Sequence, residues 1–142
     1  MTRVLIVDDH EAMRRFIRFL LAKNSLEICG EAEDGKRAVE LAQELQPDLV
    51  VLDLCMPKMD GLEAGWRIRR VAPSTKIVLL SLHCSSEAGR EVAKRVCADA
   101  FVSKVDAGTE LLPTINRVLH RNSGPMESGQ KLYERPEMIT PR

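Results

Sequence analysis

A three-layer α/β domain with a parallel sheet at its centre is the fold this sequence predicts, and two observations carry the prediction. Five short apolar runs, rich in valine, isoleucine and leucine, alternate along the chain with five stretches of helical periodicity. Polar residues sit at or just past the ends of four of those runs: Asp8 and Asp9, then Asp53, then Ser81, then Lys104. In a parallel sheet all four ends share one edge, where open α/β folds place their ligands.

The first run, residues 3–7, stops abruptly at Asp8-Asp9-His10. Residues 11–23 follow as an amphipathic helix, with Met13, Phe16, Ile17, Leu20 and Leu21 at helical spacing and Arg14, Arg15 and Arg18 read as a solvated face. Residues 26–32 make the second strand, and Asp34-Gly35 turns the chain into a helix over 36–45, striped by Ala38, Val39, Leu41, Ala42 and Leu45. The third run, 49–52, has two adjacent valines between Pro47 and Pro57, which suits a strand covered on both faces; Asp53 closes it. Met59-Asp60-Gly61 opens a third helix carrying Leu62, Ala64, Trp66, Ile68 and Val71, with Trp66 expected in the core or half-buried and Pro73 following its end. Residues 75–80 form the fourth strand and lead into Ser81. The fourth helix, 87–96, is weak, because Gly89 lies inside it and Ser85, Ser86 and Arg90 dilute its apolar side. A short fifth strand at 100–102 precedes Ser103-Lys104, and a last helix at 111–119 turns Leu112, Ile115, Val118 and Leu119 inward with Pro113 in its first turn. From Arg121 onward the composition shifts to Asn, Ser, Gly, Pro, Gln and Glu, so the domain spans 1–121 and residues 122–142 read as a linker or tail.

The 142 residues, 44% hydrophobic and 30% charged, leave room for one such domain and a short tail but not for a second full domain. Lys plus Arg equal Asp plus Glu at 21 each, so no net field draws the chain onto nucleic acid or an anionic membrane. Cys29, Cys55, Cys84 and Cys97 are far apart, without a CxxC pair or zinc-type His spacing, and read as reduced thiols filling space. Neither a signal sequence nor an apolar stretch of membrane-spanning length is visible, and the expected location is the cytoplasm.

Three carboxylates converging on one sheet edge raise one another's pKa values, and a hard divalent cation with oxygen ligands, Mg2+ above all, resolves that repulsion. Asp8, Asp9 and Asp53 against Mg2+ and the Lys104 ammonium sum to zero charge. A carboxylate in such a site can attack phosphorus, with the cation and Lys104 neutralising phosphoryl oxygens and the Ser81 hydroxyl donating to one of them.

Leu5-Ile6-Val7-Asp8-Asp9-His10, Asp34-Gly35, Pro47-Asp48-Leu49-Val50-Val51-Leu52-Asp53, Met56-Pro57-Lys58-Met59-Asp60-Gly61, Leu80-Ser81 and Ala100-Phe101-Val102-Ser103-Lys104 together resemble the receiver domain of two-component response regulators. The resemblance runs in order over residues 3–120. It implies a flavodoxin-like (βα)5 fold with strand order 2-1-3-4-5. It makes Asp53 the phosphoacceptor, charged by a phosphohistidine on a sensor histidine kinase, with Mg2+ held by Asp9 directly, by Asp8 largely through water, by Asp53, and by the Cys55 backbone carbonyl. Ser81 takes the switch-hydroxyl position and Phe101 that of the aromatic switch. The function implied is a phosphorylation-controlled signalling switch, not an enzyme beyond catalysing its own phosphorylation and dephosphorylation. Its output is a dimer or interdomain surface near the fourth helix, fifth strand and last helix.

Two departures mark the chain. Val105-Asp106 follows Lys104 where many receivers have a proline, as in the subgroup fused to helix-turn-helix domains of the LuxR/NarL type, and Val96-Cys97 stands where that subgroup shows Ala-Gly. Cys55 and His83 occupy positions that tune phosphoryl lifetime in such domains. His10 and His83 are read as edge residues without a ligand role, since magnesium prefers oxygen. Ile139-Thr140-Pro141-Arg142 resembles the opening of the DNA-binding domain of that subgroup, Thr at N-cap and Pro at N1, so the expectation is a receiver belonging to a longer transcription regulator that reaches DNA only through a domain beyond this chain. The rival reading is a small phosphohydrolase or phosphotransferase with an aspartyl-phosphate intermediate; the short connections, with no substrate-capping insertion, favour the switch. A flavin-binding module of similar topology is a third reading, disfavoured because acidic strand ends repel its phosphate.

Overall fold

The computed structural model describes residues 1–82 and 85–120. In chain order these form β1 (Thr2–Val7), α1 (Glu11–Ala22), β2 (Leu26–Ala32), α2 (Gly35–Leu45), β3 (Leu49–Asp53), α3 (Gly61–Val71), β4 (Lys76–Ser81), α4 (Ser86–Arg95), β5 (Ala100–Ser103), a 3-10 turn (Lys104–Asp106) and α5 (Ala107–Leu119). The five strands pair in parallel in the order β2-β1-β3-β4-β5. This is the order implied by the receiver resemblance.

Period-two alternation divides the sheet between two cores. Leu5, Val7, Val50, Leu52, Ile77 and Leu79 face the layer that supplies Ala38, Leu41, Ala64, Ile68 and Ala93. Val4, Ile6, Leu49, Val51, Val78 and Leu80 face Ile17 and Leu21 of α1 and Leu111, Ile115 and Val118 of α5. Every residue of β3 is buried, as expected of a central strand covered on both faces, and each of its Leu and Val side chains contributes about 1.5–3 kcal/mol.

Two local features differ from expectation, the start of α5 and the exposure of Trp66. α5 begins at Ala107, because the 3-10 turn feeds directly into it, so Pro113 lies inside the helix instead of in its first turn. Trp66 is 53% exposed. Ala64, Gly65 and Ile68 take the inward face of α3, which leaves the indole outside, where Arg70 lies over its ring at 5.0 Å. The weak fourth helix forms as a full ten-residue element, capped by the Ser85 hydroxyl accepting from the Ala88 N–H at 3.1 Å. It ends at Arg95 with Val96 as its C-cap, and Cys97 takes a left-handed conformation with φ 56°. His83, Cys84, the linker reading of 122–142 and the Thr140-Pro141 helix start lie outside the described residues. None of the helices among the described residues is long and apolar enough to cross a membrane.

Candidate functional site: an acidic sheet edge with one lysine

Parallel pairing aligns the carboxyl ends of β1, β3, β4 and β5. Val7 pairs with Leu52, Asp53 with Leu80, and Ser81 with Ser103, so the predicted residues Asp8, Asp53, Ser81 and Lys104 arrive at one edge. Asp8 is fully buried, and its N–H extends the ladder to the Ala32 carbonyl at 3.1 Å. Asp53, the last residue of β3, is 2% exposed. Its loop closes tightly: the Gly61 N–H donates to the Leu54 carbonyl at 2.8 Å, and a Cβ at Gly61 would run into the Asp53 carbonyl, which explains the glycine after Met59-Asp60.

Lys104, delivered by the 3-10 turn, bridges the acids. Its Nζ lies 2.7 Å from Asp8 Oδ2 and 3.3 Å from Asp53 Oδ2. The closer approach is an ion pair; Asp8 Oδ2 accepts no well-angled hydrogen bond among the described residues. The other carboxylate oxygens are held by backbone: Asp8 Oδ1 accepts from the His10 N–H at 2.9 Å and Asp53 Oδ1 from the Cys55 N–H at 3.1 Å. Cys55 itself is exposed. Burial and then the Asp8 charge push the Asp53 carboxyl up to about 6, against the opposing pull of the Cys55 N–H and Lys104. Burial disfavours the Lys104 ammonium, but its contacts with Asp8 and Asp53 outweigh that and raise its pKa.

The donor set suits a hard divalent cation. Asp9 Oδ1 is shielded from solvent yet finds no hydrogen-bond partner among the described residues, an unfavourable state for a carboxylate oxygen that a cation would relieve. Asp8, Asp9 and His10 can each bring one ligand atom within 4.8 Å of the others. His10 keeps an exposed imidazole at the rim of the acids, with its Nδ1 3.2 Å from Asp9 Oδ1. Ser81 is buried at the end of β4. Phe101, half-buried on β5, sets its ring against α4 at Gly89.

One contact escaped the sequence reading. Arg14, read as part of a solvated helix face, reaches the Asp8 carbonyl. Helical periodicity ranks faces by hydrophobicity and carries no signal for a charged side chain folded over its own helix start.

The profile of the response regulator receiver domain matches residues 4–116. The chain belongs to this family. Among its relatives, the chemotaxis protein CheY of Bacillus subtilis is 36% identical over 121 residues, which are 83% of this chain and 98% of that protein. The response regulator protein VraR of Staphylococcus saprophyticus is 33% identical over 123 residues, 85% of this chain but 58% of VraR, so the receiver spans little more than half of that relative. In structure, the response regulator domain of Thermotoga maritima CheB superposes with TM-score 0.79 at 31% identity, covering 88% of this chain and 99% of that one. A DNA-binding response regulator of the LuxR family from Staphylococcus aureus superposes with TM-score 0.76 at 30% identity, covering 84% and 99%. This receiver is thus a domain of the phosphorylation-controlled switches of two-component signalling.

Proposed function

We propose that Asp53 of this receiver accepts a phosphoryl group from the phosphohistidine of a sensor histidine kinase, in a Mg2+-dependent reaction, and that the aspartyl phosphate controls transcription through a separate DNA-binding domain. The observation that carries the reading is the Lys104 ammonium set between Asp8 and Asp53 at 2.7 and 3.3 Å. In the transfer, an Asp53 carboxylate oxygen forms the bond to phosphorus while the donor's N–P bond breaks and its electron pair returns to the imidazole. Asp9, Asp53 and the Cys55 carbonyl would hold the cation, with Asp8 acting largely through water. When bound, the cation neutralises phosphoryl oxygens as charge builds on them. Lys104 is positioned to exchange its contact with Asp53 for a phosphoryl oxygen, and the Ser81 hydroxyl to donate to another. Movement of Ser81 would draw Phe101 from α4 and bias the α4-β5-α5 surface, where a homodimer would form.

Support for the output comes from the relatives: VraR is a longer protein, and the Staphylococcus aureus structure is named a DNA-binding regulator. Residues 1–121 would then be the receiver and 122–142 the linker, the whole acting in the cytoplasm.

Intact mass after incubation with Mg2+ and acetyl phosphate tests the reading. A single hydroxylamine-labile adduct of about 80 Da is expected, absent without Mg2+ and absent in Asp53→Asn. An adduct that persists in Asp53→Asn, or steady release of phosphate from metabolites at enzyme rates, overturns it.

A further inference from the structure

The first turn of α1 is closed in an unusual way. His10, at the N-cap, makes no side-chain cap hydrogen bond. Asp8 Oδ1 takes the His10 N–H instead, and Arg14, one turn in, reaches back to donate from Nη1 to the Asp8 carbonyl at 2.7 Å. The same guanidinium donates from Nε to Glu31 Oε1 on β2 at 3.1 Å, and Glu31 Oε2 accepts from Arg18 Nη1 at 2.6 Å. Arg14 is only 15% exposed in its side chain, against 68% for Arg15 on the same helix.

A peptide unit is planar, so the atom that grips the Asp8 carbonyl fixes the plane joining Asp8 to Asp9. That plane sets the direction in which the Asp9 side chain leaves the strand end. A charge-assisted bond to an anchored guanidinium is the strongest restraint available there, since Glu31 holds the guanidinium from its other side. Groups that orient a metal-binding residue from behind govern affinity without touching the ion.

We propose that Arg14 is a positioning residue for the cation site: through the Asp8 carbonyl it presents Asp9 to a divalent metal, and Glu31 serves to hold Arg14 in place. The inference rests on the reading that Asp8 and Asp9 bind Mg2+. If Arg14 and Glu31 merely clamp α1 onto β2, losing either affects stability alone or affects the metal equally.

Mg2+ binding to the full chain, measured by isothermal titration calorimetry beside urea unfolding, separates these cases without reference to turnover. Arg14→Met, which keeps much of the aliphatic stem, is expected to weaken Mg2+ binding about tenfold. Glu31→Gln, which still accepts from Arg14, is expected to lower stability and leave the affinity close to wild type. Wild-type affinity in Arg14→Met, or an equal loss in Glu31→Gln, overturns the proposal. Should Arg14→Met fail to fold, Arg14→Gln is read by the same criterion. Asp9→Asn controls for the underlying reading: if it binds Mg2+ as wild type does, or the wild type binds none, the acid-pair reading falls and the inference with it. Impaired Asp9→Asn beside an unaffected Arg14→Met removes the Arg14 inference alone.

Discussion

The Phe101 ring on β5 lies so close to Gly89 of α4 that a Cβ at position 89 would overlap it. A glycine that looks like a defect in a weak helix is thus the seat of the aromatic side chain. The two effects of Gly89→Ala oppose each other. Helix propensity gains up to about 1 kcal/mol, while forcing the ring aside costs about 1–3 kcal/mol. The alanine is therefore expected to destabilise the wild type and to stabilise a Phe101→Ala background. Urea unfolding of the four proteins in a double-mutant cycle checks this; a change of the same sign in both backgrounds would show that the ring does not depend on Gly89.

Asp53 gives the metal-free protein an inverted pH dependence for a carboxylate. Its pKa rises from 3.8 to about 6 through burial and then the Asp8 charge, so the folded state holds this proton more tightly than the unfolded chain. The contribution to stability is fully present below pH 3.8 and is lost as the pH rises through about 6. At neutral pH the ionised group costs on the order of 3 kcal/mol by linkage. Metal-free Asp53→Asn is accordingly expected to be more stable than wild type by about 2 kcal/mol near neutrality, with the gap closing toward pH 4. Mg2+ narrows the gap: at a hundredfold excess over Kd it stabilises the wild type by about 2.7 kcal/mol and the Asn variant by less. Denaturant titrations across pH, with and without Mg2+, read both. A gap that widens on acidification would contradict the sign.

The acidic edge was legible because each of its members closes an apolar run, a feature written along one dimension of the sequence. Parallel pairing then needs only to align the strand ends, and it does so for Asp8, Asp53, Ser81 and Lys104. Strand order is not written that way: neighbours in the sheet are chosen by packing of whole faces, and the order came from the resemblance to receivers. Side-chain reach is equally hidden. Arg14, Arg15 and Arg18 read alike, yet Arg14 folds back to the Asp8 carbonyl and shares Glu31 with Arg18, while Arg15 pairs with Glu11 on its own helix. Trp66 misled because its size predicts burial, whereas α3 fills its inward face with small residues and Ile68.

Cys97 sits where relatives of the helix-turn-helix subgroup are expected to carry glycine, and its backbone shows why. It follows the C-cap of α4 with φ 56°, the left-handed region where glycine is free and an L side chain is strained. Its carbonyl accepts from Arg69 Nη2 at 2.9 Å, a main-chain contact any residue would keep. Relief of about 1–2 kcal/mol of strain, less the greater freedom of glycine in the unfolded chain, leaves an expected gain of about 0.5–1 kcal/mol for Cys97→Gly. The urea midpoint should rise with unchanged slope. A fall would mean that the half-buried thiol contributes more by packing than its backbone loses.

Pro113 poses the opposite problem, a rigid residue inside a helix. It is the seventh of thirteen residues in α5, exposed, and it offers no N–H to the Thr109 carbonyl one turn earlier. An interior proline costs about 3 kcal/mol relative to alanine, and its restriction of the unfolded chain returns up to about 1 kcal/mol. Pro113→Ala is therefore expected to stabilise the receiver by about 2 kcal/mol, read as a higher urea midpoint. The helix tolerates the proline because Leu111, Thr114, Ile115 and Val118 are buried on its other side, where packing and not hydrogen bonding holds it. A substitution that brings no gain would show that the packing of those four side chains depends on the proline backbone, so that α5 loses in packing what it recovers in hydrogen bonding.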